Sequence, residues 1–172
     1  MASLMENMIE VMQSEYKEYE ALLQLSEEKT AIIVAGDLEG LQKITDSEQD
    51  VVGRIHRLEK KRLELTTDIA EVLNLDKNTM KIRDLIPMLE KRPLEQQKLQ
   101  EACDQLQGIA NKMKMVNEQN GELIKHSLEM VEFELTLLQS AKTAPQTANY
   151  NKAAYNMGSQ IGNTRPGFDT KQ

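Results

Sequence analysis

Three long stretches of this chain repeat apolar residues at steps of three and four, and this period limits the fold more than any other feature. Such a stripe covers one face of an α-helix, whereas a half-buried strand would alternate at every second residue. Aromatic residues make up only 3% of the chain and Trp is absent, so Leu, Ile, Val and Met must form the core. Pattern and composition together predict an all-α protein.

The first two helices are predicted over residues 3–34 and 38–73. Between them, Gly36 suits the left-handed residue that ends many helices, and Asp37 can cap the next helix. Because the junction is so short, we expect the second helix to run antiparallel to the first. The second stripe includes two charged residues, which either fix the register against facing helices or extend from the edge of the seam into water. Its positions are Leu41, Ile44, Glu48, Val51, Ile55, Leu58, Arg62, Leu65, Ile69 and Val72.

The third helix is predicted over residues 93–141, with Pro93 at its first position. A short helix is expected before it, over residues 79–85, because Pro87 breaks any longer one. The last third of the third helix is apolar on most sides, which indicates that its own bundle and something else both cover it. The alternative is that the short helix covers it. Its main stripe comprises Leu99, Cys103, Leu106, Ala110, Met113, Asn117, Asn120, Ile124, Ser127, Val131 and Leu138, and its surplus apolar residues are Leu123, Leu128, Met130, Phe133, Leu135 and Leu137.

These elements predict an antiparallel bundle of three long helices with coiled-coil character, a short helical segment between helices 2 and 3, and an irregular C-terminal tail. The bundle domain is expected over residues 1–141 and a flexible polar tail over residues 142–172. The tail holds four basic residues and one acidic residue, Asp169, so its net charge is +3. Because the whole chain has a net charge of −7, residues 1–141 carry −10. A weak, salt-sensitive docking of the tail on the bundle is one expectation, and an ordinary polar end is the simpler one.

Charge and composition exclude several classes of function. A net charge of −7 argues against a general nucleic-acid binder, which needs a basic surface. No apolar run approaches the ~20 residues that span a bilayer, and the N-terminus lacks the basic start of a secretory signal, so we expect neither stable membrane insertion nor secretion. The single Cys103 cannot form an internal disulfide, which fits the cytoplasm.

The usual catalytic and metal-binding patterns are absent from the sequence. His56 and His126 are the only histidines, and neither follows a Glu at the Glu-x-x-His spacing of carboxylate-bridged metal bundles. No phosphate-binding loop and no HExxH or CxxC motif occurs. Cys103 lies on the third stripe, where a small buried hydrophobic residue is expected rather than a nucleophile. The sequence therefore predicts no enzymatic activity, no metal and no cofactor.

Three segments occur in an order that matches one known family. The first junction and second helix read AGDLEGLQKITDSEQDVVGRIHRLEKKRLEL, the late third helix reads NEQNGELIKHSLEMVEFELTLL, and the tail contains NYNKAAYNMG. The Gly-Asp junction, the spaced leucines, the Glu48–Gln49 pair and the Leu-Glu…Arg ending resemble the second-helix signature of the FlgN family of flagellar export chaperones. The other two segments resemble its late third helix and its short C-terminal Tyr-Asn…Gly element. The resemblance covers residues 1–160 and is loose over residues 77–93.

The resemblance implies a cytoplasmic chaperone that binds the C-terminal helical regions of the hook–filament junction proteins, also called hook-associated proteins. It would prevent their premature self-association and deliver them to the type III export apparatus, with the tail facing the client or covering the chain's own bundle. The alternative is a structural coiled-coil or adaptor protein with no chaperone role, and a weak homo-oligomer is left open. The implied partner-binding residues are Asn120, Leu123, Ile124, Ser127, Leu128, Val131, Leu135, Leu138, Tyr150, Tyr155, Met157 and Gly158.

Overall fold

The computed structural model describes residues 2–76 and 79–143, and every secondary-structure element in these residues is helical. The all-α prediction is therefore confirmed for the described part of the chain, and its three long helices pack against one another. The elements are α1 (Ala2–Ala35), α2 (Leu38–Leu73), two 3₁₀ turns (Ile82–Leu85 and Pro87–Leu89) and α3 (Pro93–Thr143). Each long helix ends within two residues of its predicted bounds.

The structure divides into two units, Met1–Leu128 and Glu129–Gln172, which are described separately. The first unit holds α1, α2, both 3₁₀ turns and α3 as far as residue 128. The second is described over residues 129–143 only. The predicted boundary between a bundle over residues 1–141 and a tail over residues 142–172 remains a prediction, since residues 144–172 lie outside the described part.

The junction between α1 and α2 has the predicted geometry. Gly36 has a φ of 67°, the left-handed conformation that glycine adopts without steric cost. The Asp37 side chain accepts a hydrogen bond from the Gly40 N–H at 2.9 Å and so caps the start of α2. At its other end α2 stops at Asn74, which is also left-handed with a φ of 54°. Local residue choice thus sets both ends of α2.

Both charged residues in the apolar stripe of α2 contact α1. The Glu48 carboxylate accepts hydrogen bonds from the Ser26 hydroxyl and the Lys29 ammonium, each at 2.7 Å. Arg62 donates from Nε to Glu15 at 3.0 Å. Glu48 thus contacts the later part of α1, and Arg62, farther along α2, contacts the earlier part. Together these contacts define one register between the two helices. Of the two expectations for Glu48 and Arg62, the structure supports register fixing.

The main core of the first unit joins all of its elements. The buried 3₁₀ residues Leu85 and Leu89 belong to this core, so the short segment packs among the early residues of α3. A smaller core of Leu22, Val51 and Ile55 lies farther along α1 and α2. The main core consists of Met5, Met8, Ile9, Val11, Met12, Leu65, Ile69, Leu85, Leu89, Leu99, Ala102 and Cys103.

The structure corrects the sequence analysis at three points. The short helix begins at Ile82 instead of residue 79, because the Asp84 carboxylate accepts a hydrogen bond from the Lys81 N–H at 2.8 Å and fixes the start there. Ala110 is exposed while its larger neighbour Ile109 is buried. At the end of α2, Val72 is exposed because the adjacent residue Leu73 packs against the main core instead.

Candidate protein-binding surfaces

Residues 129–143 of α3, the described part of the second unit, carry an unusual amount of exposed apolar surface. Six large apolar side chains occur in these four turns, and each is between 51% and 64% exposed. Single exposed apolar residues are common on proteins, but a dense group of them marks an interaction surface. The six are Met130, Val131, Phe133, Leu135, Leu137 and Leu138.

Helical geometry sorts these six residues into two faces. At about 100° per residue, Val131, Leu135 and Leu138 share one side of the helix, which we name the Leu135 face. Met130, Phe133 and Leu137 share another, which we name the Phe133 face. Glu134 lies between the two faces, and the remaining side of the helix carries Glu129, Glu132, Thr136 and Gln139. The helix therefore presents two separate apolar faces with acidic borders.

The structure distributes the predicted partner-binding residues unevenly. In the second unit, Val131, Leu135 and Leu138 form the exposed Leu135 face. In the first unit, Leu128 and Ser127 are exposed, whereas Leu123 and Ile124 are half-buried. The Ser127 hydroxyl donates to the Leu123 carbonyl at 2.9 Å, which is a local contact within α3. The predicted residues of the tail, Tyr150, Tyr155, Met157 and Gly158, lie outside the described residues.

Asn120 differs from the other predicted residues because its side chain lies inside the first unit. It is only 3% exposed. Its Nδ2 donates to the Ser26 carbonyl at 2.8 Å, and its Oδ1 accepts from the Thr30 hydroxyl at 2.6 Å. The side chain thus joins α3 to α1. The described contacts of Asn120 are thus within the first unit, and its role in partner binding stays a prediction.

A groove runs along the first unit between α2 and α3, with α1 as its floor. It consists of two consecutive hollows of about 700 Å³ and about 410 Å³. Leu63 of α2 lies on its lip and is 68% exposed, and Leu106 and Ala110 line it from α3. The sequence analysis gave no indication of this groove, which we name the α2–α3 groove. Its floor residues are Met12, Tyr19, Leu22 and Ser26.

Six charged residues line the α2–α3 groove, two of them acidic and four basic. Three of the four cations form ion pairs with carboxylates outside this lining set, Arg62 with Glu15, Arg83 with Asp104 and Lys114 with Glu118, and counting these partners removes the basic excess. Arg83 also bonds Asp104 and Gln107 on α3, at 2.8 and 2.7 Å, and so ties the connecting segment to the groove wall. The charged lining residues are Glu48, Glu59, Arg62, Lys81, Arg83 and Lys114.

Beside the groove, Arg62 reaches a carboxylate that is fully buried. Glu15 is 0% exposed, and its Oε1 accepts from the Arg62 Nε. Its Oε2 lies 2.8 Å from the same nitrogen but without hydrogen-bond geometry, so this oxygen is left unsatisfied. Burial raises the pKa of Glu15 above its ordinary value of 4.5, against the lowering effect of Arg62. The sequence analysis missed Glu15, although its place between Met12 and Tyr19 on the α1 stripe is a signal that could have found it.

The described residues offer little for catalysis. Burial raises the pKa of the Cys103 thiol, which disfavours the reactive thiolate and agrees with its expected packing role. Within residues 2–76 and 79–143, His, Cys, Asp and Glu form no group that could hold a metal ion. No helix in the same ranges has the length and apolar character to cross a membrane.

Exposed apolar faces such as those on the described helices are typical of proteins that bind other helices. Comparison with known families makes the assignment specific. The family model for the FlgN protein matches residues 1–156, and the chain belongs to this family. FlgN proteins act as chaperones in flagellar export, interact with flagellar proteins and are not known as enzymes. The recognition made from the sequence is therefore confirmed.

One curated relative comes from Bacillus subtilis (strain 168) and is described as the uncharacterized protein YvyG. It is 27% identical over 133 residues, which cover 77% of this chain and 76% of the relative. No solved structure matches the chain. The family match therefore carries the functional assignment, and the relative shows that the similarity extends over most of both chains.

Proposed function

We propose that this chain is a cytoplasmic export chaperone for hook-associated proteins of the flagellum. It binds their C-terminal helical regions, keeps those regions from associating with one another, and delivers the client to the type III export apparatus. Its three long helices form an antiparallel bundle with coiled-coil character. The proposal combines family membership with the surface that the described residues expose.

The Leu135 face is the observation that carries this proposal. Val131, Leu135 and Leu138 lie one helical turn apart and are each more than half exposed. An amphipathic client helix can cover such a row of residues at the i, i+4, i+7 spacing used when one helix docks against another. Leu128, in the first unit, is exposed as well and remains among the residues proposed to bind the client. Covering these side chains removes apolar surface from water, which provides the driving force.

The C-terminal residues are the second part of the proposed site. Tyr150, Tyr155, Met157 and Gly158 fall in the segment that resembles the Tyr-Asn…Gly element of the family. Spaced apolar side chains in a polar, glycine-containing segment can each fill a small hollow on a client while the backbone remains hydrated. Ordering such a segment costs about 1–2 kcal/mol per residue, so we expect it to add to the affinity of the Leu135 face without binding on its own.

Calorimetric titration of the full chain with the C-terminal helical fragment of a hook-associated protein tests this proposal. The variant Leu135→Asp with Leu138→Asp places two charges on the Leu135 face and should weaken client binding by at least about tenfold, or 1.4 kcal/mol. The matched control is Phe133→Asp with Leu137→Asp, which makes the same chemical change on the Phe133 face. The control should bind the client like the unmodified chain.

Circular dichroism must show that both double variants keep their helix content, because only then does binding report on the surface. Equal loss of client binding in both variants would contradict a site on the Leu135 face, and so would full binding by the Leu135→Asp, Leu138→Asp chain. Failure of the unmodified chain to bind the fragments of hook-associated proteins would contradict the proposed class of client.

A further inference from the structure

We propose that residues 110–124 of α3 form a releasable strap, which the Asn120 side chain latches to α1 and which opens while the rest of the first unit stays folded. Release uncovers the smaller core of Leu22, Val51 and Ile55 and frees the Asn120 amide. Both are hidden while the strap is closed. The release is a property of the chain alone and does not depend on the client.

The apolar support of α3 changes after Ile109. Before this point α3 contributes three buried residues to the main core, and Ile109 itself is only 6% exposed. Of residues 110–124, all of which the structure describes, Asn120 is the one buried residue. Met113 is half-buried and packs against the smaller core. A segment with few buried apolar contacts opens at a lower free energy than the core, so the strap can open before the start of α3 does.

The latch that holds the strap is polar. Asn120 donates to the Ser26 carbonyl at 2.8 Å and accepts from the Thr30 hydroxyl at 2.6 Å. When the strap opens, water replaces both partners, so the net cost of separating these groups is modest. A buried leucine at the same position would instead expose its apolar surface to water. The latch therefore fixes the position of the closed strap and adds only modestly to its hold.

Packing beside the latch is also incomplete. The smaller hollow of the α2–α3 groove, of about 410 Å³, lies along the strap and is lined by Met113 and Asn117 of α3 and by Ser26 of α1. A filled helix interface leaves few spaces larger than a water molecule. Gly108 and Gly121 lie near the two ends of the strap, where an added Cβ would meet no heavy atom within 4 Å. Both reduce helix propensity, which makes bending of α3 easier at these points.

The rate of thiol labelling measures the opening. In a Cys103→Ala background the chain has no other cysteine, so a single introduced thiol reports on its own site. Ser26→Cys places the probe beneath the latch, where Ser26 is 2% exposed, and Ala102→Cys places it in the main core, where Ala102 is 3% exposed. Each rate is divided by that of the same chain unfolded in urea. The Ser26→Cys probe should then react at least about tenfold faster than the Ala102→Cys probe.

The urea dependence of labelling separates release of the strap from global unfolding. Release exposes little surface, so labelling of Ser26→Cys should change little at low urea concentrations, whereas labelling of Ala102→Cys should rise as steeply as global unfolding. Equal rates with the same steep dependence would overturn the proposal. Circular dichroism must show that each chain keeps its helix content. If Ser26→Cys does not, Leu22→Cys, at 8% exposure in the smaller core, takes its place.

A matched pair of alanine variants tests the latch itself. Asn120→Ala removes the contact to α1, and Asn117→Ala makes the same chemical change at an exposed position of the strap. Labelling of the Ser26→Cys probe should become at least about fivefold faster with Asn120→Ala and should change by less than about twofold with Asn117→Ala. Equal effects of the two variants, or no effect of Asn120→Ala, would show that Asn120 does not hold the strap and would contradict the proposal.

Discussion

At the scale of single residues, buried polar groups determine how the helices of the first unit meet. Glu15 and Arg62 join α1 to α2, and Asn120 joins α3 to the backbone of α1 at Ser26. Apolar side chains alone would permit several registers, because each stripe repeats every three or four residues. A polar residue that finds its partner at only one position removes this ambiguity. The bundle thus uses a few polar contacts to specify what its apolar stripes leave open.

Removing Arg62 should be costly because it leaves the Glu15 carboxylate buried without a partner. We expect Arg62→Ala to lower the free energy of unfolding by about 2–3 kcal/mol at neutral pH, less than the ~3–5 kcal/mol typical of a buried pair, because Arg62 remains 32% exposed. The control is Arg54→Ala, which breaks the more exposed Arg54–Glu18 pair and should cost at most about 1 kcal/mol. Urea denaturation of both variants makes the comparison. Similar costs for the two would show that the burial of Glu15 has no energetic consequence.

The raised pKa of Glu15 gives the stability of the fold a defined pH dependence. Above its ordinary value of 4.5, the unfolded chain loses the Glu15 proton while the folded chain still holds it. The folded state then binds more protons, so this group's contribution to stability falls as pH rises through that window. Glu15→Gln removes the titrating group, and the stability of this variant relative to the unmodified chain should therefore increase from about pH 4 to pH 7. The opposite slope in urea denaturation would mean that Arg62 outweighs burial.

At the scale of elements, some glycines are required by the backbone conformation and others are not. Gly36 is left-handed and ends α1, whereas Gly108 lies inside α3, where an added Cβ would meet no heavy atom within 4 Å. The same holds for Gly121, so no close approach of a neighbouring group explains either glycine. These positions reduce helix propensity without a packing reason in the described structure.

Alanine substitution at these glycines should have opposite effects. Gly108→Ala should stabilise the chain by about 1 kcal/mol through helix propensity. Gly36→Ala should destabilise it by about 1–2 kcal/mol, because a Cβ is strained in the left-handed conformation. Thermal denaturation followed by circular dichroism distinguishes the two directions. Destabilisation by Gly108→Ala would indicate that α3 requires flexibility at this position.

The sequence predicted the bounds of the helices better than the burial of their side chains. Periodicity and terminal residues such as Asp37 and Pro93 determine the helices locally, so the bounds of α1, α2 and α3 followed from the sequence. Burial depends on which helix faces which, and for that reason Val72 and Ala110 were expected inside and are exposed. The α2–α3 groove arises from three helices and a connector together, and no local pattern encodes it. The apolar residues that α3 carries beyond those buried in the bundle were predicted from the sequence, because apolar residues occupy more than one face of that helix.

At the scale of the whole molecule, the chain combines an acidic composition with a local concentration of exposed apolar side chains. The total charge of −7 limits non-specific association with other acidic partners. Against this background, residues 129–143 concentrate exposed apolar side chains between glutamates. This surface suits a helix as a binding partner, in agreement with membership of a chaperone family of flagellar export.

Hydrogen exchange followed by mass spectrometry tests the central claim, that the exposed end of α3 is the surface that binds clients. The full chain is compared with and without the C-terminal helical fragment of a hook-associated protein. Amide exchange in residues 129–143 should slow when the client is added, because docking stabilises these turns against opening. The junction around Gly36 and Asp37 should exchange at the same rate in both samples and serves as the internal control. Client binding with unchanged exchange in residues 129–143 would contradict the account.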